Sequence, residues 1–404
     1  MKKLFIIFSV IAQMMWAPVS AGAQGSVAWD GAGSVLGARG RAALGAVAVP
    51  GVSAAKPAAV ASAKTAKAPA LKAPRVVFSE DEYISGHILK NINNCTKTLD
   101  VAVYAFSLRD VAEAIVKAIE RGVQVRVIVD QSHMFGSRTA ELQYLVDNNV
   151  NLRVLRGTGK WGIMHNKMAI FDGKMVKFGS FNWTNAGDRN NYENAIFNTE
   201  PAIIAGYQAY FDWMWEKTRS VADGPLEGDV PWGSYGKPPA DSQPSLEFNG
   251  AAFPRYAFSP LGGSEDAIIS AIDKSQAAIH ICMYSLFSQN IGDALLNAKN
   301  RGIDVRIVMD RLQAGSSPLT EFFIKNKFVF KWNSGYSGRG VMHHKFGIFD
   351  GKMVVTGSFN WTSSAENNNL ENDYYTDNAQ DVKAFAGEFN TIFGKAFTPT
   401  EKDL

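Results

Sequence analysis

The chain has 404 residues, 46% hydrophobic and 20% charged, enough for two or three domains with buried cores and incompatible with a wholly disordered, coiled-coil or collagen-like protein. Its net charge of +3 is unevenly spread: residues 1–75 hold nine basic side chains and one acid, a net +8, which leaves −5 for residues 76–404. Two cysteines exclude a disulfide scaffold and a cysteine-rich zinc module.

The N-terminus reads as an export signal over residues 1–23. Lys2 and Lys3 precede an apolar run from Leu4 to Trp16, and Ala21-Gly22-Ala23 supplies small residues for cleavage before Gln24. The run is too short to span a bilayer, which takes about 20 residues. The expected location is therefore periplasmic or secreted. Residues 24–75 read as a linker. From Gly51 to Arg75 there are ten Ala, four Lys and three Pro, with no acid and no aromatic, too little apolar surface to offset the entropy of ordering. A soluble tether and a basic arm toward an anionic partner are both open for it.

The remainder is one unit written twice, expected over 76–221 and 250–400 with a Gly/Pro-rich linker at 222–249. Val77-Phe78-Ser79 and Ala257-Phe258-Ser259 open the copies. A helical pattern follows (Asp81–Asn93, Ser264–Lys274), then a strand-like run (Leu99–Ala105, Ala278–Tyr284) and a second helix (Arg109–Arg121, Asn290–Arg301) closed by Arg-Gly. Next come VQVRVIVD, ending at Asp130, and IDVRIVMD, ending at Asp310. Short apolar strands alternating with helices predict parallel β-α-β units in an α/β fold.

The closest match is HNKMAIFDGKMVKFGSFNWT (165–184) against HHKFGIFDGKMVVTGSFNWT (343–362), identical at fifteen of twenty positions. Each block holds His-x-Lys, an Asp five residues after the Lys, and Gly-Ser-x-Asn. The first set is His165, Lys167, Asp172, Ser180 and Asn182; the second is His343, Lys345, Asp350, Ser358 and Asn360. Residues two apart on a strand share a face. Asp-Gly marks a hairpin turn that returns the next strand alongside. Imidazole, ammonium, hydroxyl and amide are thus expected to converge on a phosphoryl group, with the serines and asparagines binding its oxygens. The same polar residues persist in both copies while Met168/Phe346 and Phe178/Thr356 vary. Glu193 and Glu371, each eleven residues past the motif Asn, are candidates to orient the imidazoles. A closing aromatic stripe, Tyr207/Phe211/Trp215 and Phe385/Phe389/Phe393, reads as core.

These paired motifs with trailing GSFNWT resemble the phospholipase D superfamily of phosphodiesterases, over roughly residues 76–400. The resemblance implies a duplicated α/β/α sandwich, a pseudo-dimer whose two HKD halves build one active site at their interface. It implies a cofactor-free, metal-free, two-step reaction, with His165 as nucleophile, His343 as acid and base, and Asp172 and Asp350 structural. The wording is similar to that of the small bacterial nucleases and the mitochondrial cardiolipin hydrolase, single-motif chains that dimerise. Two fused motifs imply activity as a monomer. The substrate stays open between phospholipid at a membrane surface and nucleic acid. The acidic body favours phospholipid, because nucleic-acid enzymes carry a basic footprint.

Other polar residues are weaker candidates. His344 is expected to face away from His343 in a supporting role, and no His, Cys or carboxylate cluster shows metal-ligand spacing. Tyr104 and Tyr284 end equivalent strands, suited to lining a pocket or to packing. Cys95 and Cys282 fall in different copies; export would permit a disulfide, but nothing places them together.

Overall fold

The structure is a computed structural model that describes residues 70–400. The expected signal at 1–23 and residues 24–69 of the expected linker lie outside the described residues.

Each copy forms a mixed sheet. In the first, Thr98–Val103, Gln124–Asp130 and Leu152–Leu155 pair in parallel, as the buried Val/Ile runs require. The helix Arg109–Glu120 makes the crossover and stops where Gly122 takes φ 88°, a left-handed conformation without penalty only for glycine. The motif block forms the hairpin that its Asp-Gly turn predicts. Its Asp-Gly turn can join only antiparallel neighbours, so Lys167–Phe171, Met175–Gly179, Asn194–Asn198 and Val76–Phe78 extend the sheet antiparallel from Thr98–Val103. Arg219–Ser220 adds an eighth short strand beside Leu152–Leu155. The second sheet repeats the pattern with seven strands, ordered Tyr256–Ser259, Glu371–Thr376, Met353–Gly357, Lys345–Phe349, Ala278–Met283, Asp304–Asp310 and Val329–Asn333.

Three cores follow. Each sheet buries one face under its own crossover helices, around Ile88, Ile115 and Val127 in the first half and Ile272, Leu295 and Ile307 in the second. The third core joins the halves. It takes the opposite faces of both sheets and the closing helices Pro201–Trp215 and Ala379–Lys395, with Tyr207, Phe211, Phe385 and Phe389 buried in it. Tyr210 stacks on Phe258 with centroids 4.0 Å apart. Each such aromatic contributes roughly 1.5–3 kcal/mol on burial. Gly206 shows how close this seam is: a Cβ there would lie 2.2 Å from the Tyr256 ring, so Gly206→Ala should force that ring to move.

Two expected boundaries move. The last residues of the first linker belong to the fold: Leu71 and Ala73 pack on the first core, and Arg75 pairs with Asp381 at 2.8 Å and Glu200 at 2.9 Å. Too few apolar positions were involved to make a pattern. The second linker gives up Leu246–Phe248, which pairs with Ala251–Phe253 in a hairpin on the second core. Cys95 and Cys282 are both buried and free. Among the described residues no helix is long and apolar enough to cross a membrane.

Candidate active site

The parallel strands deliver the first fixed groups. Asp130 and Asp310 end equivalent central strands and are buried. One oxygen of each caps the following short helix; the other accepts from the backbone just before the motif histidine, Met164 N at 2.8 Å and Met342 N at 3.0 Å. Burial pushes both carboxyls up to about 6. The histidines do not sit on the strands as expected. The strands begin at Lys167 and Lys345, and His165 and His343 lie in the segments just before them. Each lysine turns back to donate to the carbonyl of its own histidine, Lys167 to His165 O and Lys345 to His343 O at 2.6 Å.

The two glutamates cross between the halves. Glu371, from the second half, accepts from Nδ1 of His165 at 2.8 Å, and Glu193, from the first, accepts from Nδ1 of His343 at 2.9 Å. The backbone crosses as well: His165 N donates to Leu370 O at 2.9 Å and His343 N to Tyr192 O at 3.0 Å. Neither half therefore holds a complete set of groups.

Ser180 and Ser358 were expected to bind phosphate and instead hold these glutamates. Ser180 Oγ donates to Glu193 at 2.6 Å and Ser358 Oγ to Glu371 at 2.7 Å, and each accepts a backbone N–H from the neighbouring strand. A hydroxyl has one proton, and it is already committed. Asn191 and Asn369 complete the carboxylate shells at 3.2 and 3.0 Å. Asn182 and Asn360 are partly buried, and in both halves the amide Oδ1 is buried without a partner.

Electrostatics follow from burial. Desolvation pushes His165 and His343 down to about 4 although the glutamates pull upward, so both imidazoles are neutral near pH 7. With Nδ1–H given to a glutamate, Nε2 keeps its lone pair, and each side chain is 8% exposed. Burial alone would raise the glutamates, but the histidine, lysine and serine around each hold it below the usual carboxylate range. Burial also lowers both lysines, Lys345 to about 7. Tyr104 and Tyr284 line the site: their rings lie 5.0 and 4.6 Å from His165 and His343, and Lys167 and Lys345 sit over the same rings at 5.2 and 4.9 Å.

Asp172 and Asp350 lie away from this cluster, at the hairpin turns, with φ 52° each. Asp172 accepts the backbone N–H groups of Thr96, Lys97 and Thr98, and Asp350 those of Gln276, Ala277 and Ala278, tying each hairpin to the start of the central strand. Sequence reasoning assigned no role to Asp130, Asp310, Asn191 or Asn369. The available signal was their recurrence at equivalent places in both copies.

Residues 88–215 and 268–393 each match the family described as cardiolipin synthase, PLD-like domain. The mitochondrial cardiolipin hydrolases of Chlamydomonas reinhardtii and Homo sapiens are 32% and 30% identical to this chain over 130 and 141 residues, covering 32% and 33% of it. The chain spans about half the length of these curated relatives, 56% and 52%. The phosphatidylserine synthase of Haemophilus influenzae has a similar fold, with a TM-score of 0.60 at 15% identity over 80% of this chain and 86% of that one.

Proposed function

The chain belongs to the family described as cardiolipin synthase, PLD-like domain, its relatives named cardiolipin hydrolase are phosphodiesterases, and from that premise we propose that it hydrolyses phospholipid phosphodiesters through a covalent phosphohistidine. The observation that carries this reading is the crossed pair: two neutral imidazoles, each fixed at Nδ1 by a carboxylate from the other half, each with Nε2 free.

In the first step Nε2 of His165 attacks phosphorus. The P–N bond forms as the P–O bond to the leaving alcohol breaks, and His343, reacting from the minor fraction in which it is protonated, gives its proton to that alcohol. In the second, His343 takes a proton from water, whose oxygen attacks phosphorus and displaces His165. Lys167, Lys345, Asn182 and Asn360 supply the charge and donors for the non-bridging oxygens. Ser180 and Ser358 act one step back, through the glutamates. Both histidines lie on one chain, so the active species is a monomer, and export to the periplasm or medium is the location proposed. The relatives named as cardiolipin hydrolases and the acidic body support a phospholipid over a nucleic acid.

The test is the purified protein in EDTA assayed against phosphatidylcholine, cardiolipin, single-stranded DNA and duplex DNA. Turnover of a phospholipid is expected. Turnover of DNA alone would move the substrate to nucleic acid with the same chemistry. Loss of all turnover in EDTA, restored by a divalent ion, would contradict the metal-free mechanism.

A further inference from the structure

We propose that Glu80, His344 and Glu388 form a binding site for one divalent transition-metal cation of the zinc class, separate from the catalytic centre. The three come from distant parts of the chain: the turn after Val76–Phe78, the segment before Lys345–Phe349, and the middle of the helix Ala379–Lys395. One imidazole nitrogen and one oxygen of each carboxyl lie within 4.8 Å of one another. His344 and Glu388 are buried, and Nε2 of His344 meets Glu388 at 2.8 Å. Both oxygens of Glu80 are buried with no N–H donor from another residue against them, and its carboxyl faces that of Glu388. Two carboxyls facing each other in such a place need a proton or a cation between them.

The donor set and its surroundings suit a metal. One imidazole and two carboxylates are a set zinc accepts, with ligand bonds of about 2.0–2.2 Å that small side-chain rotations would reach. Glu80 and Glu388 also line a cavity of about 780 Å³, beside Asp81, Tyr336, Lys383 and Lys395, which leaves an open position for water or a ligand. Outer support is in place. Nδ1 of His344 lies 3.0 Å from the side-chain amide of Asn194, which also contacts Thr356 Oγ1 at 3.2 Å. If that amide turns over, it accepts from Nδ1–H and donates to Thr356, freeing Nε2 for the metal; a ligating histidine is commonly held this way.

The duplication provides an internal control. The equivalents of Glu80, His344 and Glu388 in the other half are Pro260, Asn166 and Tyr210, a neutral set in which Asn166 donates to Tyr210 at 3.2 Å. The donor set is thus confined to one of the two seams. His343 is bound by Glu193 rather than by this cluster, so the metal is not part of the reacting groups.

The experiment is titration of the EDTA-stripped full chain with zinc chloride by calorimetry, with thermal melting alongside. One equivalent should bind and raise the melting temperature. Glu80→Gln and Glu388→Gln should each weaken binding at least tenfold and abolish the zinc-dependent melting shift. Absence of saturable binding, or equal binding by both variants, overturns the site. If Glu388→Gln fails to fold, Glu80→Gln, on a partly exposed turn, decides alone. Turnover is not the readout, so failure here leaves the catalytic proposal standing.

Discussion

The two halves agree at the centre and disagree one layer out. Histidine, lysine, glutamate and serine adopt the same contacts in both to within a few tenths of an ångström. Just behind them Asn166 and Tyr210 stand where the second half has His344 and Glu388, and Lys177 occupies the place of Val355. The crossing explains the contrast. Each glutamate serves the other half's histidine, so a change in either copy damages a site built from both. The outer layer serves its own seam and is free to diverge. Lys177 is fully buried, its ammonium donating to the carbonyls of Lys167 and Phe181 and lying 5.3 Å from the centre of the Phe181 ring, and it adds a positive charge beneath the first half's lysine that the second half lacks. Two look-alike lysines, Lys167 and Lys345, thus stand in unequal fields.

The largest expected effect breaks the symmetry outright. His165→Ala should remove the nucleophile and lower turnover by roughly 10⁴-fold or more. His343→Ala should lose about 10²–10⁴-fold on alkyl substrates yet still be phosphorylated by an aryl phosphodiester, whose leaving group needs no proton. The adduct, acid-labile and mapped by peptide mass, should accumulate on His165. Label on His343 in the His165→Ala protein would reverse the assignment, and label on neither would end the two-step mechanism.

The crossing itself makes the next prediction. Glu371→Gln should reproduce the His165 defect and Glu193→Gln the His343 defect, each at about 10²-fold or more, because an amide cannot stabilise an imidazolium as a carboxylate does. Burst and steady-state rates on an aryl substrate separate the two. A variant whose defect follows its own half's histidine would refute the crossed pairing.

A smaller effect concerns pH. Burial lowers both histidines to about 4, and the first step needs one of them protonated. Above that pH the protonated fraction of the free enzyme falls about tenfold per unit. kcat/KM for an alkyl phosphodiester should therefore decline between pH 5 and 8, while that for an aryl substrate stays nearly flat. An alkyl profile that rises with pH would show that His343 does not supply the proton.

The smallest prediction makes the halves more alike. Burial lowers Lys177 from its usual range to about 7. Below pH 10.5 the unfolded chain holds a proton that the folded chain holds less well, so this lysine costs stability, most at and below pH 7 and progressively less as pH rises toward 10.5. Lys177→Met should raise the melting temperature, more at pH 6.5 than at pH 9. A lower melting temperature would mean that the two carbonyl hydrogen bonds outweigh the buried charge.

The sequence by itself determined the duplication, the α/β class, the order of helices and strands, and the paired histidine–lysine motifs that the fold brings together. These rest on local periodicity and on fifteen identities in twenty positions, which survive without knowing what touches what. Only the tertiary structure decided which glutamate meets which histidine, that Ser180 and Ser358 hold carboxylates, that Asp130 and Asp310 anchor the backbone ahead of the histidines, and that Glu80 meets Glu388 across 308 residues. The reason is physical. A strand pattern fixes the face on which a side chain emerges, whereas a partner is chosen by how two faces pack. Here the third core seats each half's motif loop against the other half's glutamate, a relation between halves that no spacing within either copy can encode.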